Sequence, residues 1–155
     1  MSRPSTSADK MLALDNQFCF ALYSASLAMT KAYKPLLDNL GLTYPQYLAM
    51  LVLWQEEGLL VKDIGEKLFL DSGTLTPLLK RLEAAGLIAR TRDEKDERQV
   101  RITLTPEGRA LKRRARTIPE QVMCASGQSA QALGALRNQL SLLRDSLTNA
   151  NEANE

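Results

Sequence analysis

The chain has 155 residues, 45% of them hydrophobic and 25% charged, which is the composition of an ordinary soluble globular protein. This length corresponds to one domain with a substantial core, so we expect a single domain over residues 1–155. The net charge of +2 excludes a chain that is polybasic throughout. Histidine is absent, which removes the usual general base and a frequent metal ligand. The composition therefore argues against an enzyme, and we predict neither a metal nor a cofactor.

The sequence contains no recognisable targeting or membrane segment. Residues 1–9 are polar, unlike a signal peptide, and the longest apolar run, at 47–54, is too short to span a bilayer. We therefore expect a cytoplasmic protein without membrane contact. In that compartment Cys19 and Cys124 should be free thiols at rest.

The first predicted helix is long and unusually apolar. It should extend from about Ala8 to Ala32, with Ser7 as the N-cap and Pro35 kinking or ending it, while residues 1–7 should be disordered. Apolar side chains occupy much of its circumference, so this helix needs cover on more than one side. In a small domain, an oligomer interface provides such cover.

A second helix follows a short piece that ends at Gly41. Thr43 and Gln46 have the spacing of a capping box, and Gly58 closes the helix. Its core face is expected to consist of Leu48, Leu51 and Val52.

The stretch 61–104 predicts a winged helix-turn-helix. Apolar residues recur at helical spacing in two runs, first Val61, Ile64 and Leu68, then Leu75, Leu78, Leu79 and Leu82. Two β-prone runs follow, Leu87–Arg92 and Val100–Leu104, separated by a charged tip at 93–98. This arrangement is a common way to place a helix in the DNA major groove.

Two more helices are predicted after the wing. Thr105 begins one that reaches about Ala125 with a kink near Pro119, and the other covers about Ser129 to Leu147, followed by a disordered tail. Its stripe consists of Leu133, Leu136, Leu140, Leu143 and Leu147. The expected fold is mainly α: a winged helix-turn-helix, 61–104, flanked by dimerisation and sensing helices at 8–60 and 105–148.

The positive charge is concentrated where DNA would be met. Residues 61–116 contain 14 basic and 9 acidic side chains, a net charge of +5. On the second helix of the motif, the face opposite the leucines carries Thr76, Pro77, Lys80 and Arg81, and Ser72 and Thr74 lie near its N-terminal end. An ordinary solvated helix face could look the same, but the complete winged-helix pattern favours DNA. Whether Lys80 and Arg81 bind guanine edges or phosphates stays open.

Four segments resemble a known family. They are 18–24, 42–47, 71–82 and 96–98, and the resemblance covers about residues 12–146. The chain is similar to the multiple-antibiotic-resistance-regulator (MarR) family of dimeric winged-helix transcription factors, and within it to the two-cysteine organic hydroperoxide resistance regulators (OhrR). The resemblance implies a homodimeric repressor of double-stranded operator DNA with an organic hydroperoxide as its effector. It also implies that Arg98 enters the minor groove and that Asp96 braces it, rather than forming an idle surface pair.

A lone cysteine in a helix is usually a small buried apolar residue, but three tyrosines favour a reactive thiol at Cys19. Tyr23 follows at i+4 on the same helix face, while Tyr33 and Tyr44 supply hydroxyls that can hydrogen-bond a thiolate. Fourteen residues of straight helix span about 21 Å, so Tyr33 would have to reach Cys19 from a second subunit or after a sharp chain reversal.

The resemblance implies how the two cysteines act. Organic hydroperoxide oxidises Cys19 to a sulfenic acid, Cys124 resolves it as a disulfide between subunits, and operator DNA is released. An intrachain disulfide is also compatible with the sequence. Phe18, Phe20 and Met29 are expected to line a pocket for the apolar tail of the peroxide.

Two other functions are compatible with parts of the pattern. One is a MarR-type repressor controlled by a small phenolic ligand, with incidental cysteines. The other is a thiol peroxidase, which the missing histidine and the winged helix disfavour.

Overall fold

A computed structural model describes residues 6–155, so residues 1–5 of the segment expected to be disordered lie outside the described range. The chain divides into two compact units, Met1–Ala115 and Arg116–Glu155, and each is considered separately below. The single domain expected over 1–155 therefore stays a prediction. Among the described residues, no helix is both long enough and apolar enough to cross a membrane.

The predicted mainly α fold with a small wing is confirmed. The elements are α1 (Ser7–Met11), a 3-10 helix (Leu14–Asn16), α2 (Phe18–Asp38), α3 (Tyr44–Gln55), β1 (Leu59–Leu60), α4 (Val61–Leu68), α5 (Ser72–Ala84), β2 (Ile88–Arg92), β3 (Val100–Leu104), α6 (Pro106–Ala115), α7 (Ile118–Ser126) and α8 (Ala130–Ala153). Helices thus lie on both sides of the winged helix along the chain, as expected.

The predicted first helix is wrong in its bounds, because the chain breaks between α1 and α2. At the end of α1, side-chain amides hydrogen-bond backbone carbonyls that backbone N–H groups would bond in a continuing helix. Asn16 Nδ2 donates to Lys10 O at 2.7 Å, and Gln17 Nε2 donates to Met11 O. Such local hydrogen bonds compete with continuation of a helix. The N-cap is Thr6 rather than Ser7.

The C-terminal part of α2 also differs from the prediction. Pro35 lies inside α2, which runs on to Asp38, so this proline does not end the helix and no separate short piece precedes Gly41. Gly41 has a φ of +69°, which suits the turn into α3.

The capping box of α3 is confirmed, whereas only Val52 of the expected core face is buried. Thr43 Oγ1 accepts the Gln46 N–H at 3.3 Å, and the Gln46 side chain accepts the Thr43 N–H at 2.9 Å. The buried residues of α3 are Tyr47, Ala49, Met50, Val52 and Leu53. Leu51 is 37% exposed and Leu48 is half-buried, because a helix that is apolar all round does not reveal which side faces the core.

The winged helix forms as predicted. Ile64 of α4 and the four leucines of α5, Leu75, Leu78, Leu79 and Leu82, are buried. The antiparallel sheet has the order β1-β3-β2, with Leu59 opposite Ile102 and Ile88 opposite Leu104. Ile88, Ile102 and Leu104 extend the same core beneath the wing.

The helix expected from Thr105 to Ala125 is two helices. The Thr105 hydroxyl accepts the Gly108 N–H at 3.1 Å and so starts α6 as predicted. The pyrrolidine ring of Pro119 conflicts with a helical carbonyl four residues earlier, at Ala115, where α6 ends. The prediction of a disordered tail after Leu147 is also wrong. Helix α8 extends to Ala153, since no glycine or proline interrupts it after Leu147.

Candidate functional site

The N-terminal turn of α5 is fixed by a side-chain cap. Asp71 Oδ1 accepts the Thr74 N–H at 2.7 Å. This hydrogen bond is the largest cause of a pKa of Asp71 below the ordinary carboxyl value. The cap sets the start of α5 at Ser72. Because the leucines of α5 are buried, the opposite side of the helix faces outward.

The outward side of α5 carries the residues expected to meet DNA. Ser72, Thr74, Pro77, Lys80 and Arg81 are exposed, and Thr76 is half-buried. Pro77 is accommodated inside the helix. Cationic and hydroxyl groups therefore lie on one accessible surface, which suits both phosphates and base edges.

A groove of about 270 Å³ lies between α4, α5 and the wing. Its polar and charged lining consists of Lys62, Ser72, Thr76, Arg90, Arg98 and Gln99. Lys62 and Arg90 were not predicted as site residues, since the sequence marks them only by the local excess of basic residues. The Arg90 guanidinium is held by Glu83, with Nε 3.3 Å from Oε1.

Asp96 and Arg98 form an ion pair at the tip of the wing. Arg98 Nε lies 3.1 Å from Asp96 Oδ1, and the Arg98 N–H donates to the same oxygen at 3.1 Å. The guanidinium stays open to solvent, because 91% of the Arg98 side chain is exposed. The pair gives this cation a defined direction without covering it.

A second ion pair lies at the neck of the same tip. Asp93, predicted only as part of a charged tip, is 7% exposed and is the buried charged residue of the described chain. Its Oδ1 lies 2.7 Å from Arg101 Nε, and Arg101 Nη1 donates to Gly58 O at 2.7 Å. The hydrogen bond from Arg101 is the largest cause that lowers the pKa of Asp93.

Cys19 lies in the first turn of α2, and not in the middle of one helix as the predicted bounds Ala8 to Ala32 would have placed it. The reason is the break before Phe18, which moves the helix start forward. Cys19 is a free, exposed thiol. At this position an anionic sulfur would meet the partial positive charge of a helix N-terminus.

The apolar side chains expected to line a pocket beside Cys19 are uncovered within one chain. Phe18 is 59% exposed, Phe20 40% and Met29 39%. Leu37 is the buried residue of α2. A closed apolar pocket here would require a second chain.

Three tyrosines cluster at the far end of α2. The ring centroids of Tyr33 and Tyr44 are 4.8 Å apart, and that of Tyr47 lies 5.8 Å from the first and 6.3 Å from the second. Burial, reinforced by Tyr44 and then Tyr47, raises the pKa of Tyr33 to about 12. Burial likewise raises the pKa of Tyr44 and Tyr47. Tyr47 was not among the predicted site residues, although its offset of three from Tyr44 places both on one side of α3.

Only part of the predicted thiol site comes together within one chain. Tyr23, which is 63% exposed, is one helical turn after Cys19. Helix α2 is continuous from Cys19 to Tyr33, so these residues are separated by about 21 Å along its axis. Tyr33 contacts Tyr44 of α3, as described above, so this pair lies at the end of α2 remote from Cys19.

The second cysteine belongs to the C-terminal unit. Cys124 is a free, exposed thiol near the end of α7. Its carbonyl accepts the N–H of Gly127, at which α7 stops, at 3.2 Å. Exposure makes this thiol accessible to chemistry in solution.

The comparisons with known proteins agree on one family. Residues 31–115 match the family model described as transcriptional regulator SarA/Rot. The chain is 54% identical over 140 residues to the organic hydroperoxide resistance transcriptional regulator of Bacillus subtilis, an alignment that covers 90% of this chain and 95% of that protein.

Solved structures extend the similarity to the fold. Reduced AbfR bound to DNA, from Staphylococcus epidermidis, has a TM-score of 0.74 and 34% identity, with coverage of 90% of this chain and 97% of that one. Disulfide-formed AbfR has a TM-score of 0.60 at 34% identity, with 94% and 97% coverage. These relatives are regulators rather than enzymes. The chain therefore belongs to the MarR/SarA-type family of winged-helix, DNA-binding transcription regulators.

Proposed function

We propose that this regulator is a homodimeric repressor that senses organic hydroperoxides through Cys19 and releases operator DNA on oxidation. The observation that carries the proposal is the position of Cys19: an exposed thiol on an uncovered apolar helix, with Tyr33, which contacts Tyr44 of α3, about 21 Å further along it. A second copy of the chain would supply both the missing cover and the missing hydroxyls. The similarity to the Bacillus subtilis regulator supports the choice of effector.

The dimer is supported by two helices that one chain leaves uncovered. Large apolar residues of α2 are 39–63% exposed: Phe18, Phe20, Leu22, Tyr23, Leu27 and Met29. Helix α8 has no buried residue, and its Leu136, Leu142 and Leu147 are 50–69% exposed. Exposed apolar surface on this scale is typical of protein–protein contacts. An antiparallel arrangement of two α2 helices would place the partner's Tyr33 and Tyr44 beside Cys19.

The proposed chemistry is two successive displacements at sulfur. The Cys19 thiolate attacks the terminal oxygen of the hydroperoxide, the O–O bond breaks, and the alcohol leaves after taking up a proton. Cys19 is then a sulfenic acid. The thiol of Cys124 in the partner subunit attacks that sulfur and forms the disulfide, and the hydroxyl leaves as water. One hydroperoxide is thus reduced for each disulfide that forms.

Disulfide formation would change the distance between the two DNA-binding units. A disulfide requires its Cα atoms within about 7 Å, so any larger separation in the reduced dimer must close by backbone movement. Two recognition helices on one face of DNA must lie about 34–36 Å apart. A displacement of a few ångströms at the helices that carry the thiols would therefore disturb the fit of both α5 helices to the operator.

The test is a gel shift with the protein's own upstream DNA, with and without cumene hydroperoxide, for wild type and Cys19→Ser. We expect peroxide to release DNA from the wild type and leave the variant bound. Cys124→Ser is the matched control, because it removes a thiol while keeping the reacting one. A Cys19→Ser protein that still releases DNA on peroxide treatment would refute Cys19 as the sensor.

Non-reducing electrophoresis tests the pairing of the two thiols. Peroxide should convert the wild type to a cross-linked dimer, and neither single serine variant should cross-link. An oxidised wild type that stays monomeric on the gel while its thiols are lost would argue for an intrachain disulfide instead.

The second candidate is control by a small anionic phenol. The groove between α4, α5 and the wing favours it, since hydroxyl and cationic groups, Thr76, Lys62 and Arg90, line a space of about 270 Å³. Salicylate is a suitable probe. DNA release by salicylate that persists in Cys19→Ser, together with no response to cumene hydroperoxide, would favour this candidate.

A further inference from the structure

We propose that Asp93 is a positioning residue for DNA recognition: with Arg101 and the Gly58 carbonyl it fixes the direction of the wing, and therefore of Arg98. The inference rests on the operator binding of the proposed function, with Arg98 in the minor groove as the family resemblance implies, and is independent of the redox chemistry. It assigns a role to the buried acid, which the charge pattern of the sequence places among exposed tip residues.

The backbone places Asp93 at the point where the tip leaves the sheet. Asp93 directly follows β2, and its N–H donates to Gln99 O at 2.8 Å. The N–H of Gln99 in turn donates to Asp96 O at 2.9 Å. These two bonds close the neck of the tip, so a rotation at Asp93 would carry the whole segment with Asp96 and Arg98.

Arg101 links this neck to the loop after α3. It lies on β3, opposite Thr91 of β2 and Leu60 of β1. Its guanidinium bridges Asp93 Oδ1 and Gly58 O, each at 2.7 Å. A planar guanidinium with two fixed acceptors restricts the twist of the hairpin in a way that a single contact does not.

The other end of β3 is held separately. Glu57 Oε1 accepts the Leu104 N–H at 3.0 Å, and Arg109 Nη2 donates to the same oxygen at 2.8 Å. With the base of β3 fixed by Glu57, two side-chain contacts bear on the tip: the Asp93–Arg101 pair, and Arg92 Nη1, which donates to Glu97 O at 3.1 Å. The first of them joins the tip to the loop after α3. In the part of the chain that the structure describes, the hydrogen bonds of Arg98 stay within the tip: its N–H, Nε and Nη2 all donate to the Asp96 carboxylate.

The sign of the charge separates this role from simple electrostatics. A carboxylate near DNA repels phosphates, so its removal should strengthen binding to any DNA sequence. A carboxylate that acts through geometry has the opposite effect on the operator, since its loss misdirects Arg98. The two explanations therefore predict opposite changes in operator affinity for the same substitution.

The experiment compares Asp93→Asn with Glu94→Gln in the reduced full-length protein at fixed salt. Both variants remove one negative charge from the wing, but Glu94 is exposed. Fluorescence anisotropy gives the affinity for upstream operator DNA and for a scrambled duplex. Asp93→Asn should lose about ten-fold for the operator, the size of one well-made contact, with scrambled DNA unchanged or bound more tightly. Glu94→Gln should raise both affinities together.

A double-mutant cycle with Arg98→Ala tests the link to the tip. If Asp93 acts through Arg98, Asp93→Asn should change operator affinity by less than about two-fold in the Arg98→Ala background. Additive losses, a rise in operator affinity for Asp93→Asn that parallels Glu94→Gln, or no effect of Arg98→Ala alone would each overturn the inference. Arg101→Lys keeps the charge but cannot bridge both acceptors, so it should lose operator affinity as Asp93→Asn does. It serves as the test if Asp93→Asn folds poorly. Peroxide-induced cross-linking should be unchanged in all these variants, so a failure here is distinct from a failure of the redox proposal.

Discussion

At the tip of the wing, the Arg98 guanidinium is held 3.1 Å from the carboxylate of Asp96 while 91% of its side chain remains exposed. An exposed ion pair of this kind adds little to folding stability. Its effect is instead directional, because the carboxylate limits the rotamers of a cation that stays accessible. Such a pre-oriented cation suits the negative potential of a narrow minor groove.

Arg98→Ala should weaken operator binding and leave folding intact. Removal of one groove contact is expected to cost about 1–3 kcal/mol of binding free energy and to reduce the salt dependence of the affinity by about one counterion. Anisotropy titrations at several salt concentrations measure both quantities, and thermal unfolding monitors the fold.

The matched control for this variant is Lys95→Ala, which removes an equal charge from the same exposed tip. We expect a smaller loss, similar for operator and scrambled DNA, since the structure describes no hydrogen bond that fixes the Lys95 ammonium to a carboxylate as Arg98 is fixed to Asp96. Equal losses for the two variants would show that Arg98 contributes only its charge and would contradict a specific groove contact.

Tyr33→Phe should slow oxidation of Cys19 by cumene hydroperoxide. A phenol with a pKa of about 12 keeps its proton at neutral pH, so it can donate a hydrogen bond to a thiolate throughout the physiological range. The substitution removes the hydroxyl and preserves the ring contacts with Tyr44 and Tyr47. The rate of thiol loss in stopped peroxide reactions, in a Cys124→Ser background, gives the measurement.

Tyr47→Phe is the control within the same cluster. Tyr47 is 2% exposed, so its hydroxyl is not available to a thiol of another subunit. Equal oxidation rates for wild type and Tyr33→Phe, or a larger effect of Tyr47→Phe, would contradict the proposed donor.

Acid should destabilise the fold partly through Asp71. Its folded-state pKa is lowered, mainly by the Thr74 N–H, relative to the ordinary value near 4. A lowered pKa means that the carboxylate contributes stability above the unfolded-state pKa and loses that contribution as pH falls through the folded-state pKa. Urea unfolding monitored by circular dichroism should therefore show a declining free energy of unfolding below about pH 4. Asp71→Asn keeps a good N-cap but cannot titrate, so its decline should be shallower. Superimposable pH profiles would remove Asp71 from this account.

Gly108→Ala should destabilise the winged-helix unit. A Cβ at this position would lie 2.0 Å from Leu87 O, a backbone atom that cannot move away cheaply. Overpacking of this kind costs about 1–3 kcal/mol, measurable as a loss in the free energy of unfolding. Gly134→Ala in α8 is the control, because its Cβ would meet only Arg137 Nη2 at 4.0 Å. That substitution should be neutral or stabilise by up to about 1 kcal/mol through helix propensity. A stable Gly108→Ala protein would show that α6 can move away from β2.

The sequence predicted those parts of the fold that depend on neighbours along the chain. The leucine spacing of α5 identified the buried side of that helix, and Thr43 with Gln46 identified the start of α3. Both signals work because helical periodicity and capping join residues three or four positions apart. The predicted first helix was wrong because its apolar content alone favoured one continuous helix. The side-chain amides of Asn16 and Gln17 instead bond the carbonyls at the end of α1 and interrupt it.

The amino-acid sequence by itself determined the winged helix, the excess of basic residues over 61–116 and the presence of two cysteines outside the motif. Only the tertiary structure decided which side of α3 is buried, that Tyr47 joins the tyrosine cluster, and that Asp93 is a buried partner of Arg101 and not an exposed tip charge. The physical reason is sequence distance. Arg101 and Gly58 are 43 positions apart, and their contact arises from the pairing of β3 with β1, next to Gly58, which no local pattern of residues specifies.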